Sequence, residues 1–300
     1  MIYTITFNPA LDYTLKVSNF KIGDINRTIT EKILPGGKGL NVSIVLKNLG
    51  VENTALGFIG GFTGKELKRK IEEKGIKTDF IEIENGITRI NVKISSKSET
   101  AINGNGPQIT EREIQLLLEK LQQINKNDIV ILAGNIPKNI KNNIYEEICM
   151  ILEKKGITYV VDATKELLLN ILKYKPFLIK PNKEELEETF GVKIKSEEQI
   201  IIYATKMKEL GAQNVLVSLG GKGAILVSEN GTIYNKCAPK GEVVSTVGAG
   251  DSMVAGFIVG YLKNHNYEEA FKMGIASGSA STFSENLATK EDVEQILKQI

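Results

Sequence analysis

Short β-branched runs alternate along the chain with stretches in which apolar residues return at helical spacing. The runs at 3–7, 129–133, 158–162, 177–179 and 214–218 predict strands, and 111–123, 142–155, 183–190 and 197–210 between them predict amphipathic helices. This rhythm predicts βαβ units, hence a mainly parallel sheet with helices on both faces. A later pair, 224–228 and 232–236, is joined by Glu229-Asn230-Gly231 and predicts an antiparallel hairpin at a sheet edge. Segments 12–17 and 89–95 instead alternate polar with apolar positions, and a short strand at 100–103 follows them. They predict a small separate sheet with one wet face. The charge run 65–77 reads as the solvated face of a helix.

Composition narrows the class. The chain has 300 residues, enough for one large α/β domain, and no internal repeat or low-complexity linker divides it. Its formal charge is +2 with both signs interspersed, which argues against a dedicated nucleic-acid surface. The two cysteines, Cys149 and Cys237, lie far apart without nearby histidine, so neither a disulfide framework nor a zinc site is expected. The opening residues lack a basic n-region and an apolar core, and no apolar run approaches membrane-spanning length. A soluble, cytoplasmic protein with no membrane partner is expected.

The densest chemistry lies at Ser245-Thr246-Val247-Gly248-Ala249-Gly250-Asp251-Ser252, ahead of an apolar helix over 252–262. A glycine-rich turn opening a helix gathers unpaired N–H groups at the positive end of the helix dipole and binds anions. A carboxylate at its mouth repels a resting phosphate, so Asp251 reads as a base placed where a phosphoryl group is transferred to a hydroxyl. Gly36-Gly37-Lys38-Gly39-Leu40-Asn41 repeats the device before a helix over 42–49, with a lysine as point charge. Other polar clusters follow strands: Asn8-Pro9-Ala10, Gly134-Asn135, Lys180-Pro181-Asn182 and Gly220 to Gly223. Ligands on open parallel sheets bind beyond the carboxyl ends of strands, so one rim of this sheet is the expected site.

Two near matches fail. Gly60-Gly61-Phe62-Thr63-Gly64-Lys65-Glu66 resembles a phosphate loop, but no Ser or Thr follows the lysine. Gly248-Ala249-Gly250 starts a dinucleotide fingerprint, yet Met253 stands where its third glycine belongs. The lone His265 reads as a surface residue.

The run Thr246-Val247-Gly248-Ala249-Gly250-Asp251 resembles the signature of the PfkB, or ribokinase-like, family of sugar kinases. The resemblance covers nearly the whole chain and implies a ribokinase-like three-layer α/β fold, one domain over 1–300. It implies a discontinuous β lid, drawn from about 12–31 and 87–104, that closes over the sugar and pairs with a second subunit in a homodimer. It assigns Asp251 as catalytic base and the amides of Gly248, Ala249 and Gly250 as anion hole. Gly37, Lys38 and Asn41 match its Gly-Gly-Lys-Gly-x-Asn segment, which binds the sugar phosphate. Asp12 fits Asn-Pro-x-x-Asp, where a carboxylate accepts from sugar hydroxyls.

The guanidinium of Arg89 suits a phosphate carried in on the substrate. Asn135 stands in Ala-Gly-Asn-Ile-Pro, where family members more often have Ser-Gly-Ser-Leu-Pro, and it can still donate to a sugar oxygen. Asn182 and Glu185 match an Asn-x-x-Glu element that organises magnesium waters, with Lys180 beside the nucleotide; the same pair is also a capping box. Ser218, Gly220, Gly221, Lys222 and Gly223 resemble the nucleotide loop.

ATP and Mg²⁺ are the implied cofactors, with K⁺ near 245–247 left open. Segment 86–93 with Glu99-Thr100, Ile102-Asn103-Gly104 and Gly106-Pro107 is similar to the branch that phosphorylates fructose 1-phosphate to fructose 1,6-bisphosphate. Tagatose 6-phosphate as acceptor, or a non-catalytic sugar-phosphate sensor, are the alternatives. Asp251 at a helix N-terminus is expected to be a weak base with a low pKa.

Overall fold

The computed structural model describes residues 1–137, 139–141, 143–163 and 166–300. In chain order its strands begin with β1 (Ile2–Thr6), β2 (Ala10–Lys16), β3 (Thr30–Gly36), β4 (Asn53–Gly60), β5 (Lys77–Thr78), β6 (Ile81–Ile83) and β7 (Arg89–Ser95). They continue with β8 (Glu99–Asn103), β9 (Ile129–Ala133), β10 (Thr158–Asp162), β11 (Leu178–Ile179), β12 (Asn214–Ser218), β13 (Ala224–Val227) and β14 (Ile233–Lys236). The helices are α1 (Lys38–Asn48), α2 (Gly61–Glu72), α3 (Glu111–Gln123), α4 (Ile144–Lys155) and α5 (Glu166–Leu172). After them come α6 (Lys183–Phe190), α7 (Glu197–Glu209), α8 (Ala249–Asn264), α9 (Tyr267–Thr282) and α10 (Lys290–Leu297).

Among the described residues ten strands form the large sheet, in the order β14-β13-β12-β11-β10-β9-β1-β4-β5 with β6 also on β4. Pairing is parallel from β5 to β12 and antiparallel for the hairpin β13–β14, as the sequence predicts. Buried side chains of α3 to α7 cover one face, against Val130, Val161 and Val215 among others. The other face is covered by α1, α2, α8 and α9. Helices α8 and α9 approach closely: a Cβ on Gly256 would lie 2.3 Å from Ser277 Oγ, so only glycine fits there. No helix among the described residues is long and apolar enough to cross a membrane.

The second sheet, β3-β2-β7-β8, stands apart from the first. It contains the segments expected, but its first part does not stop at residue 31: β3 continues to Gly36. Pro35 lies within it, which is possible because β3 is an edge strand and tolerates a residue without an N–H. Strand β4, unexpected from the sequence, is buried along its whole length, and Gly57 in it allows close passage of β1, since a Cβ would lie 2.1 Å from the Thr6 carbonyl oxygen. Helix α5 was also unexpected. The expected start of a helix at Asn142 lies outside the described residues.

Both glycine-rich helix openings begin earlier than their apolar runs. Helix α1 starts at Lys38 behind Gly37 (φ 123°), and α8 starts at Ala249 behind Gly248 (φ 76°). The glycines are thus first-turn residues, admitted because neighbours press on them: a Cβ on Gly39 would lie 2.4 Å from Thr6 Oγ1. The two openings meet side by side, and this creates the site.

Candidate active site

Asp251 occupies the first turn of α8, and the residue is only 5 % exposed. The Asn41 side-chain amide, from the first turn of α1, donates to Asp251 Oδ2 at 2.8 Å. Of the expected anion hole, the Ala249 amide is engaged, donating to Thr246 O at 3.4 Å. The first bond inside α8 runs from Ser252 N to Gly248 O, and among the described residues the Gly248, Gly250 and Asp251 N–H groups have no backbone partner at the helix opening. Lys180 packs against this turn, its ammonium 3.0 Å from where a Gly250 Cβ would sit.

A low pKa for Asp251 does not hold. Burial and the nearby Asp162 carboxylate raise it to about 6, against the Asn41 hydrogen bond and the charges of Lys180 and Lys38. Helix polarity, the basis of the sequence expectation, is outweighed by removal from water.

Asp162 ends β10 with 1 % exposure and was not foreseen as a site residue. Lys38 Nζ lies 3.4 Å from its Oδ1, and Lys180 Nζ lies 3.8 Å from the same atom. Its other oxygen, Oδ2, is buried without a protein partner among the described residues. Burial alone would lower the Lys38 ammonium, but the carboxylates of Asp162, Asp251 and Glu185 together hold it above its usual value. The signal in the sequence is a carboxylate closing a largely apolar strand at the rim where the other clusters sit.

Asn182 and Glu185 form the capping box in full. Glu185 N donates to Asn182 Oδ1 at 2.7 Å, and Asn182 N donates to Glu185 Oε2 at 2.8 Å. The cap thus aims the Glu185 carboxylate, whose field reaches Lys38. A bridge between Asn182 and Ser218 brings the next loop alongside. Beyond Ser218, Gly220 to Lys222 make a 3₁₀ turn with positions 220–222 exposed, and Gly223 (φ 98°) closes it against the Lys236 carbonyl. Among the described residues the backbone hydrogen bonds of this turn are internal.

A cavity of about 150 Å³ opens beside the carboxylates, lined by Thr6, Gly37, Lys38, Arg89, Gly134 and Asn135, among others. Arg89 is aimed by two carbonyls, donating from Nε to Asn8 O at 3.1 Å and from Nη1 to Gly104 O at 3.4 Å. Asp12 faces the same region from β2 and is paired with Asn91 and Lys93. A larger cavity, about 220 Å³, lies at the opposite end of the sheet by Tyr159 and Lys175, away from every group above.

A buried carboxylate at a helix opening, flanked by one buried and one half-buried lysine and by a phosphate-sized cavity with its own arginine, suits phosphoryl transfer to a hydroxyl. The chain belongs to the pfkB family of carbohydrate kinases, whose model matches residues 6–293. Its three-layer architecture with a small second sheet is the ribokinase-like fold. It is 45 % identical over 300 residues to the 1-phosphofructokinase of Bacillus subtilis, covering the whole chain and 98 % of that protein. It is 38 % identical over 301 residues to the D-tagatose-1-phosphate kinase of Bacillus licheniformis, covering 100 % of the chain and 98 % of the relative. The structure of phosphofructokinase-2 from Escherichia coli in complex with fructose-6-phosphate aligns with a TM-score of 0.93 at 27 % identity, covering 99 % of this chain and 98 % of that one. That protein has also been solved in complex with potassium.

Proposed function

We propose that the protein transfers the γ-phosphoryl group of ATP to the free terminal hydroxyl of fructose 1-phosphate, giving fructose 1,6-bisphosphate and ADP. The observation that carries the chemistry is the Asp251–Asn41 pair at the α8 opening, with the charges of Lys180 and Lys38 acting on it. The similarity to the Bacillus subtilis enzyme supports this acceptor.

Asp251 accepts the proton of the attacking hydroxyl, and the free amides of its turn hold the charge of the phosphoryl group in transit. Lys180 and Lys38 place positive charge on the same side. Arg89, with Gly37 and Asn135, grips the phosphate already on the sugar, and the exposed turn at 220–222 covers the nucleotide.

Asp162 and Glu185, with Asn182, fit a magnesium ion held with the nucleotide phosphates. The buried Oδ2 of Asp162 lacks a partner among the described residues, and oxygen donors suit a hard cation that keeps much of its water. Held there by these residues, the ion would supply positive charge beside the nucleotide phosphates. A potassium ion near 245–247 belongs to the same proposal, supported by the complex of the Escherichia coli relative. The working compartment is the cytoplasm.

One domain with a β lid completes the reading. On the face of the small sheet opposite Asp12, Ile33, Ile90 and Ile102 are 46 %, 39 % and 61 % exposed. An apolar sheet face this open supports pairing with the same face of a second subunit. Sedimentation velocity is expected to give a dimer, and Ile102→Lys with Ile33→Lys a monomer; a wild-type monomer at assay concentration contradicts the dimer.

The test of function is ADP release with ATP and Mg²⁺, comparing fructose 1-phosphate, fructose 6-phosphate, tagatose 1-phosphate, tagatose 6-phosphate and adenosine, each in K⁺ and in Na⁺. The highest kcat/KM is expected for fructose 1-phosphate, with the rate higher in K⁺. Preference for a tagatose phosphate would replace the acceptor, and no turnover with any would leave a sensor.

A further inference from the structure

Parallel pairing of β2 with β7 sets Asp12 opposite Asn91, with Arg89 and Lys93 two positions away on the same face. Both oxygens of Asp12 are engaged. Oδ1 accepts from Asn91 Nδ2 at 2.8 Å, and Oδ2 accepts from Lys93 Nζ at 2.5 Å. Gly36 lies directly beneath, where a Cβ would come within 2.6 Å of the carboxylate carbon. The other end of the Asn91 amide accepts from Gly104 N at 3.2 Å, and Gly104 O is one of the two carbonyls that aim Arg89. Carboxylate and guanidinium are thus tied to one short stretch of backbone.

We propose that Asn91 and Lys93 are positioning residues that decide which acceptor the site takes, by clamping Asp12 so that it reads hydroxyl configuration. A carboxylate offers about four lone-pair sites. Asn91 and Lys93 each occupy one, on different oxygens, and hold the carboxylate plane still. The remaining sites then point in fixed directions and accept neighbouring sugar hydroxyls in one relative configuration only. A carboxylate free to rotate would suit either epimer. D-Fructose and D-tagatose differ only in configuration at C4, a difference that such a clamp resolves and that a phosphate grip at Arg89 does not. Lys93 also keeps positive charge beside Asp12, and its side chain is 31 % exposed, so it is open to substitution without disturbing the core.

The inference rests on the proposed function in taking ketohexose phosphates as acceptors. It is tested by measuring kcat/KM for fructose 1-phosphate and tagatose 1-phosphate in the wild type, Lys93→Met and Lys93→Arg, with the KM for ATP and the Tm of each. Lys93→Met is expected to lower the ratio between the two epimers about tenfold, the worth of one charge-assisted hydrogen bond. The loss should appear in the KM for the preferred sugar, with kcat and the KM for ATP unchanged. Lys93→Arg should restore most of the ratio. Equal loss for both epimers, an unchanged ratio, or a wild type that treats the epimers alike overturns the clamp while leaving a kinase. A wild type inactive on both overturns the proposed acceptor, and the clamp with it.

Discussion

Asp251→Asn is expected to lower kcat by about 10²–10⁴, the usual range for a positioned acid–base group, with KM for both substrates nearly unchanged. The Asn41 amide that donates to Asp251 Oδ2 can also donate to the new amide oxygen, so the geometry survives while the base is lost. The wild-type pH profile carries the same assignment. With its pKa raised to about 6 by burial and by Asp162, Asp251 must lose its proton to act, so turnover should fall as pH drops through that value. The sign for stability is opposite. A carboxyl whose pKa is raised on folding favours the folded state in full only below its unfolded pKa, and that contribution is lost as pH rises through the folded value. Asp251→Asn should therefore raise the Tm at about pH 8 and change it little at about pH 4. A variant that retains normal kcat, or that loses stability at high pH, contradicts the role of Asp251.

Asp162→Asn has the second large effect. The substitution removes the buried charge that offsets Lys180, which is 6 % exposed, and Lys38 beside it. Removing one partner of a buried ion pair costs up to about 3–5 kcal/mol, and with Asp251 left as the remaining counter-charge a smaller but clear drop in Tm is expected. If Asp162 and Glu185 hold the magnesium ion, the Mg²⁺ concentration for half-maximal rate should also rise about tenfold or more, since a ligand is lost. Thermal scans with magnesium titrations separate the two effects. An unchanged magnesium requirement in folded variant protein would leave Asp162 with a purely structural task.

Strands β9, β10 and β12 are legible in the sequence to the residue because each is a compact β-branched run closed by polar neighbours. Strand β4 is not. Its composition, Asn-Thr-Ala-Leu-Gly-Phe-Ile-Gly, carries little strand preference, and its conformation comes from packing between β1 and the outer strands. The glycine turns are legible as anion-binding devices, but the sequence places their residues ahead of the helices rather than in the first turns. Tertiary contacts with Thr6 and Leu287 select glycine there and let the helices start at Lys38 and Ala249.

The site shows the same division. Asp251, Lys38, Asn41 and Lys180 announce themselves by residue type and position on the rim, and the structure gathers them. Asp162 could be seen only as the end of a strand. Its importance arises from two lysines converging from α1 and β11's loop, a relation no local pattern contains. The Asp251 pKa turned on burial and a second carboxylate from a distant segment, so helix polarity, the only term readable locally, pointed the wrong way. Asn91 and Lys93 were visible as alternate positions of a strand, but their common partner Asp12 became evident only with the β2–β7 register.

The most direct test of the account is the identity of the product. Fructose 1-phosphate is incubated with ATP, Mg²⁺ and either wild-type protein or Asp251→Asn, and the product is examined by ³¹P and ¹H NMR. The account predicts a new phosphomonoester on the terminal carbon opposite the existing phosphate, formed one-for-one with ADP by the wild type and far more slowly by the variant. ADP without a sugar bisphosphate, or a bisphosphate formed equally fast by Asp251→Asn, would contradict it.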